Sequence, residues 1–168
     1  MKKFQSYING TWIDSSTGEI IVVDNPATEE IAGEVACASN EDVDLAVEAA
    51  KKSFLKRDLV DMHPMERSKL MRTIAIELRN ISKEAGKLLC YENGKLLSGA
   101  EYEFQDAANY FDYYGGLTDK LEGSTIPVSK GVVDYTILEP YGVSAHIIPW
   151  NYPISMIGRS LACSIATG

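Results

Sequence analysis

The sequence predicts an α/β fold, because strand-like and helix-like segments alternate along the chain. Apolar residues recur at helical spacing over long stretches in the middle, whereas β-branched residues and turn dipeptides dominate the stretches around them. With 168 residues, of which 45% are apolar and 24% charged, the chain is long enough for one domain with a hydrophobic core.

The first stretch predicts a small antiparallel meander. Tyr7-Ile8 and Trp12-Ile13 flank Asn9-Gly10, a dipeptide typical of two-residue hairpin turns. A further strand is expected at residues 20–23, and a mixed segment follows at residues 31–38.

Two helices are predicted next. Ser39 and Asp42 have the spacing of a capping box, and the apolar residues beyond them place a helix at residues 40–55. Pro64 suits a first helical position, and a long apolar stripe continues from it to Asn93-Gly94. This second helix is expected to be long and amphipathic.

A third helix and two strands are predicted after it. Ser98 and Glu101 again have capping-box spacing, and one apolar face extends to Gly115-Gly116. Between residues 123 and 140 turn residues alternate with β-branched ones, which indicates two extended strands and is compatible with a projecting hairpin.

The last stretch predicts a strand, a tight turn and a helix. The apolar run Gly142 to Ile148 leads into the turn Pro149-Trp150-Asn151-Tyr152-Pro153, and an apolar helical pattern follows. In open α/β sheets ligands bind at the carboxyl ends of strands. Free N–H groups at a helix amino terminus also suit a phosphate or a developing oxyanion, so the turn is a candidate site.

Charge disfavours two classes of partner. The formal net charge of -8 would repel a nucleic-acid backbone or an anionic membrane surface. Small molecules or other proteins are therefore the expected partners. We see no secretory signal and no apolar run of membrane-spanning length.

The cysteines and histidines predict neither a disulfide framework nor a metal site. Cys37, Cys90 and Cys163 are far apart and odd in number, which favours a reduced, cytoplasmic protein. His63 and His146 have no metal-like partner at useful spacing, and each is interpreted as a core or surface histidine.

Several blocks together resemble the aldehyde dehydrogenase family. The final block, EPYGVSAHIIPWNYPISMIGRSLACSIATG, resembles the family segment in which Pro-Trp-Asn precedes an aromatic residue and a second proline. Upstream, YINGTWIDSSTGE, NPATEEIAGEVACASNEDVDLAVEAAKKSF, ENGKLLSGAE and YFDYYGGLTDKLEGSTIP resemble the family's blocks in the family's order. The resemblance covers nearly the whole chain.

The resemblance implies the amino-terminal portion of the aldehyde dehydrogenase fold. Residues 1–122 would form the meander and helices of the cofactor-binding domain. Residues 123–140 would be projecting strands of the oligomerisation type, and residues 141–168 the first strand and helix of an incomplete Rossmann-like core. A homo-oligomer is therefore expected for the full-length protein.

The resemblance also implies a reaction and its site residues. Members of the family oxidise an aldehyde to a carboxylic acid with NAD or NADP, and Asn151 would donate its side-chain amide to the aldehyde oxygen as negative charge develops. Tyr152 and Met156 would face the aldehyde tunnel. The residues expected to line the cofactor cleft are Ile147, Ile148, Pro149, Trp150 and Asn151.

Simpler interpretations of these residues remain open. An asparagine between prolines is often a turn or helix-cap residue, and Trp150 and Met156 could serve core packing alone. No metal is expected at the site.

The resemblance leaves some of the catalytic machinery outside this sequence. In the family the nucleophilic cysteine, the glutamate base and the residues that hold the adenosine ribose follow the segment that resembles residues 139–168. We therefore expect these 168 residues alone not to turn over aldehyde. The alternative is a non-catalytic interaction module or truncated pseudoenzyme that assembles through the strands near residues 123–140.

Overall fold

Three helices form the core of the protein in a computed structural model that describes residues 2–168. Helix α2 spans Pro64–Asn93, α3 spans Leu97–Gly115 and α4 spans Pro153–Thr167. Helix α1, Asn40–Lys56, precedes them. One buried cluster joins α2, α3 and α4 and consists of Met71, Ala75, Ala108, Phe111, Ala162 and Ala166. The α/β class and the positions of all four helices confirm the sequence prediction.

Helices α3 and α4 approach each other unusually closely at Gly158. A Cβ atom at this position would lie 2.5 Å from the Cα atom of Ala107. Glycine therefore permits a backbone-to-backbone contact that no other residue allows. The contact brings the first turns of α4 close to α3.

The amino-terminal strands form two separate sheets. Strand β2 (Ser6–Ile8) pairs with β3 (Thr11–Ile13) as the predicted hairpin. The other sheet has the order β1 (Lys2–Phe4), β5 (Ile31–Ala36), β4 (Ile20–Asp24), in which β1 runs parallel to β5.

The prediction of a single antiparallel meander was wrong, because β3 does not pair with β4. The connection between these strands is tied to the start of α1 instead. The amide of Ser16 donates to a carboxylate oxygen of Asp42 at 3.1 Å, and the hydroxyls of Ser16 and Ser39 lie 2.7 Å apart.

The capping box at α1 is formed as predicted. The Ser39 hydroxyl accepts from the Asp42 amide, and the Asp42 carboxylate accepts from the Ser39 amide. Asp42 is buried. Hydrogen bonds from the backbone amides of Ser39 and Ser16 lower the pKa of this carboxyl below its usual value.

The predicted capping box at Ser98 was wrong. Helix α3 begins at Leu97, its N-cap is Leu96, and that cap makes no side-chain hydrogen bond. The connection from α2 is only three residues long, so the helix starts before Ser98 can act as its cap.

The segment after α3 contains only short strands. Thr125–Ile126 (β6) pairs antiparallel with Asp134–Tyr135 (β7), which confirms two strands between residues 123 and 140. Every residue from 121 to 139 is exposed.

The strand predicted at residues 142–148 does not form. The described residues supply no neighbouring strand to bond with its backbone groups, and a parallel strand requires such a partner. The segment that leads into α4 is therefore irregular.

Candidate functional site

The turn between residues 149 and 153 lies at the amino terminus of α4, with Asn151 at its centre. Asn151 is exposed, and its side-chain amide forms no hydrogen bond with any residue from 2 to 168. The N-cap of α4 is Tyr152, without a side-chain hydrogen bond, so Asn151 is not the cap residue. Its amide is available to a ligand.

The end of α2 contacts one side of this turn. Gly94, with a φ of +72°, ends α2 in the left-handed conformation, and a Cβ atom there would lie 2.6 Å from the Cγ of Pro26. The chain thereby reverses between Asn93 and Lys95. The side-chain amide of Asn93 donates to the carbonyl oxygen of Trp150 at 2.8 Å.

Lys95 holds the turn at Asn151 itself. Its Nζ donates to the carbonyl oxygen of Asn151 at 2.7 Å and lies 4.7 Å from the centroid of the Tyr152 ring, a cation–π distance. The same nitrogen forms an ion pair with Oε1 of Glu103. Lys95 therefore joins the turn to helix α3.

Glu103 is buried, with 1% of its surface exposed, on the face of α3 that contacts α4. Its Oε2 accepts from the Ile154 amide at 3.1 Å, with a longer contact of 3.5 Å from the Ser155 amide. A carboxylate at a helix amino terminus is favourable because it meets free N–H groups and the positive end of the helix dipole. Removing one partner of a buried ion pair typically costs about 3–5 kcal/mol.

This geometry corrects one expectation from the sequence. The first amides of α4 were expected to be free for a phosphate or an oxyanion. Glu103 accepts hydrogen bonds from the amides of Ile154 and Ser155, so the free donor that remains in the turn is the side chain of Asn151.

The other predicted site residues surround Asn151 in an open arrangement. Ile147 is 97% exposed and Trp150 is 80% exposed, so neither serves as a core residue within this chain. Ile148 is partly buried and Pro149 is exposed. Together they present apolar surface directly before α4, which an apolar or planar group can cover.

Tyr152 and Met156 are one helical turn apart at the start of α4. Tyr152 is 57% exposed, whereas Met156 is partly buried. Residues at this spacing lie on the same side of a helix start. Packing therefore accounts for part of the Met156 surface and leaves the rest accessible.

Sequence reasoning missed Asn93, Lys95 and Glu103 as site residues. Glu103 carried a detectable signal, because it lies at helical spacing from Ala100 and Ala107 within the apolar stripe of α3. A charged residue on a buried stripe requires a partner. The partner could not be named from the sequence, because Lys95 and the α4 amides meet it only in the tertiary fold.

Within the described residues the site contains no metal centre. No group of three or more histidine, cysteine, aspartate or glutamate residues within residues 2–168 is arranged to bind a metal ion. The same part of the chain has no helix that is long and apolar enough to cross a membrane.

Comparison with known proteins gives a consistent set of matches. The family model for the aldehyde dehydrogenase family matches residues 12–168. The succinate-semialdehyde dehydrogenase (NADP(+)) 2 of Schizosaccharomyces pombe is 36% identical over 166 residues, which cover 98% of this chain and 33% of the relative.

Solved structures of aldehyde dehydrogenases are also similar to this chain. An aldehyde dehydrogenase variant from Bacillus cereus has a TM-score of 0.94 at 34% identity and covers 99% of this chain. A point mutant of betaine aldehyde dehydrogenase from Staphylococcus aureus, determined with NAD+, has a TM-score of 0.93 at 29% identity and covers 98% of this chain. The matches cover 34% and 33% of those two chains, so this chain spans about a third of the length of the proteins it resembles.

Proposed function

Because the chain belongs to the aldehyde dehydrogenase family, we propose that the protein containing it oxidises an aldehyde to a carboxylic acid, with NAD or NADP as the hydride acceptor. The observation that carries the proposal is the side-chain amide of Asn151. It is exposed and free of hydrogen bonds to residues 2–168, whereas the backbone around it is held on both sides.

Asn151 would act as a donor to the aldehyde oxygen. As a nucleophile adds to the carbonyl carbon, negative charge develops on this oxygen, and an amide N–H placed beside it stabilises that charge. An amide suits the role because it donates without titrating and adds no full charge to the ground state. One such donor is worth roughly 3 kcal/mol in the barrier.

The apolar surface before α4 would form part of the cofactor wall. Ile147, Ile148, Pro149 and Trp150 present hydrophobic side chains next to Asn151, which fits the apolar lining of cofactor clefts. The cofactor supplies hydride acceptance when bound. These residues would exclude water from that face. The relative from Schizosaccharomyces pombe is named for NADP(+), and the Staphylococcus aureus structure contains NAD+, so both cofactors belong in the test.

The substrate would be a small-molecule aldehyde that approaches between Tyr152 and Met156. The exposed Tyr152 ring and the partly accessible Met156 lie at the start of α4, directly after Asn151 in the sequence. Both side chains are mainly apolar, which suits the hydrocarbon part of an aldehyde rather than its oxygen.

The β6–β7 hairpin would join subunits of a homo-oligomer. Val133 is 81% exposed, and Ile137 and Leu138 are 68% and 65% exposed. Exposed apolar side chains near a two-stranded ribbon are typical of a surface that another chain covers. The same observation supports the second candidate, a non-catalytic interaction module.

The free state of Cys37, Cys90 and Cys163 supports a reducing compartment, and the cytoplasm is the simplest such compartment.

An activity assay separates the two candidates. The full-length protein that carries this chain should reduce NAD or NADP in an aldehyde-dependent manner, whereas isolated residues 1–168 should not. Light scattering on the full-length protein should measure the molar mass of an oligomer that does not change with protein concentration. If it associates but shows no turnover with either cofactor and a panel of aliphatic, aromatic and amino aldehydes, the interaction module is the correct function.

A further inference from the structure

We propose that Asn93, Lys95 and Glu103 form a clamp that positions the catalytic amide of Asn151. The clamp rests on the proposed function, since it assigns these three side chains to the same site. None of them needs to touch the substrate. Each is a positioning residue that acts through the backbone of the turn.

The contacts of the clamp bracket Asn151 on both sides. Asn93 binds the carbonyl oxygen of the preceding residue, Trp150, and Lys95 binds the carbonyl oxygen of Asn151 itself. Glu103 accepts from the Ile154 amide three residues later. The peptide groups before and after the Asn151 side chain are thus fixed, while its amide stays free.

Burial makes the Lys95–Glu103 pair a stiff connection. The side chain of Glu103 is 1% exposed and that of Lys95 is 16% exposed, so water competes little for their hydrogen bonds. One oxygen of Glu103 binds Lys95 and the other faces the amides of α4. The pair therefore fixes the turn relative to α4 rather than only joining α3 to α4.

Positioning matters because a hydrogen-bond donor acts only over a short range. Misplacement of a reacting group by about 1 Å can reduce the rate on the order of 100-fold. Loss of a clamp contact should therefore lower kcat and leave substrate and cofactor KM values nearly unchanged, since the donor acts mainly in the transition state.

A double-mutant cycle in the full-length enzyme tests the clamp. Lys95→Met should lower kcat between about 10-fold and 100-fold in the native background. In an Asn151→Ala background the same change should lower kcat less than about twofold, because the group that the clamp positions is absent. Lys69→Met is the matched control, since Lys69 also pairs with a glutamate, Glu66, but on the exposed surface. It should leave kcat unchanged in both backgrounds.

Asn93→Asp keeps the cycle informative if Lys95→Met does not fold. This nearly isosteric change on a partly exposed side chain replaces the donor to the Trp150 carbonyl with an acceptor. Asn93→Asp should lower kcat severalfold when Asn151 is present. In the Asn151→Ala background it should leave kcat unchanged. Lys95→Arg, which keeps a donor and the charge, should retain more activity than Lys95→Met.

The outcomes distinguish the two proposals. If Asn151→Ala lowers kcat but the clamp variants cause the same fold loss in both backgrounds, the clamp is merely structural and this inference is wrong. If Asn151→Ala leaves kcat unchanged, the proposed function of Asn151 fails, and the clamp fails with it.

Discussion

The close contact between Gly158 and Ala107 allows a sharp test of how α4 is held. In Gly158→Ala the new Cβ atom would lie 2.5 Å from the Cα and 2.8 Å from the Cβ of Ala107. Ordinary carbon–carbon contacts are about 3.5–4.0 Å, so α4 would have to move by about 1 Å. The atoms it meets belong to the backbone and a methyl group of α3, and neither can rotate away.

The magnitude follows from two opposing effects. Forcing an extra methyl group into a packed core costs about 1–3 kcal/mol, and a backbone contact places this site at the upper end. Alanine in a helix interior gains about 1 kcal/mol over glycine. The free energy of unfolding of the variant should therefore fall by about 2 kcal/mol in total. For a domain of this size, such a change lowers Tm by about 4–8 °C.

Urea unfolding followed by circular dichroism measures this change, with Gly99→Ala as the matched control. Gly99 lies in α3, and a Cβ atom there would have no neighbour within 4 Å. Gly99→Ala should therefore raise the free energy of unfolding by up to about 1 kcal/mol. If Gly158→Ala were as stable as Gly99→Ala, the close contact between α3 and α4 would be refuted.

Two further changes test the core and the cap of α1. Met71 is fully buried among α2, α3 and α4, so Met71→Ala should lower the free energy of unfolding by about 2–5 kcal/mol; an unchanged urea midpoint would contradict its burial. Asp42 has a lowered pKa in the folded chain, so its ionised carboxylate stabilises the fold above the unfolded pKa, and this contribution is lost as the pH falls through the folded pKa. Asp42→Asn should lower stability at neutral pH and flatten the acid limb of a plot of stability against pH; an acid limb as steep as that of the native chain would contradict the role of Asp42.

Local sequence patterns predicted much of the fold. The capping box at Ser39, the Asn9-Gly10 hairpin and the left-handed end of α2 at Gly94 depend on residues close in sequence, and all were predictable. The pairing of β1 with β5 was not, because these strands are far apart in sequence and their register is set by tertiary contacts. The same holds for the separation of β3 from β4.

The site was predictable in part for a similar reason. The turn around Asn151 lies in one continuous stretch, and its resemblance to the family identified it. Lys95 and Glu103 come from a loop and a helix more than forty residues away, and only the packing of α3 against α4 joins them to the turn. The strand predicted at residues 142–148 failed because strand formation depends on a neighbour, not on composition alone.

The most direct test of the central claim is the kcat of Asn151→Ala in the full-length enzyme, measured with saturating aldehyde and cofactor. If Asn151 donates to the developing oxyanion, kcat should fall roughly 100-fold to 1000-fold, with little change in the KM for the cofactor. A kcat equal to that of the native enzyme would show that this chain does not supply the donor.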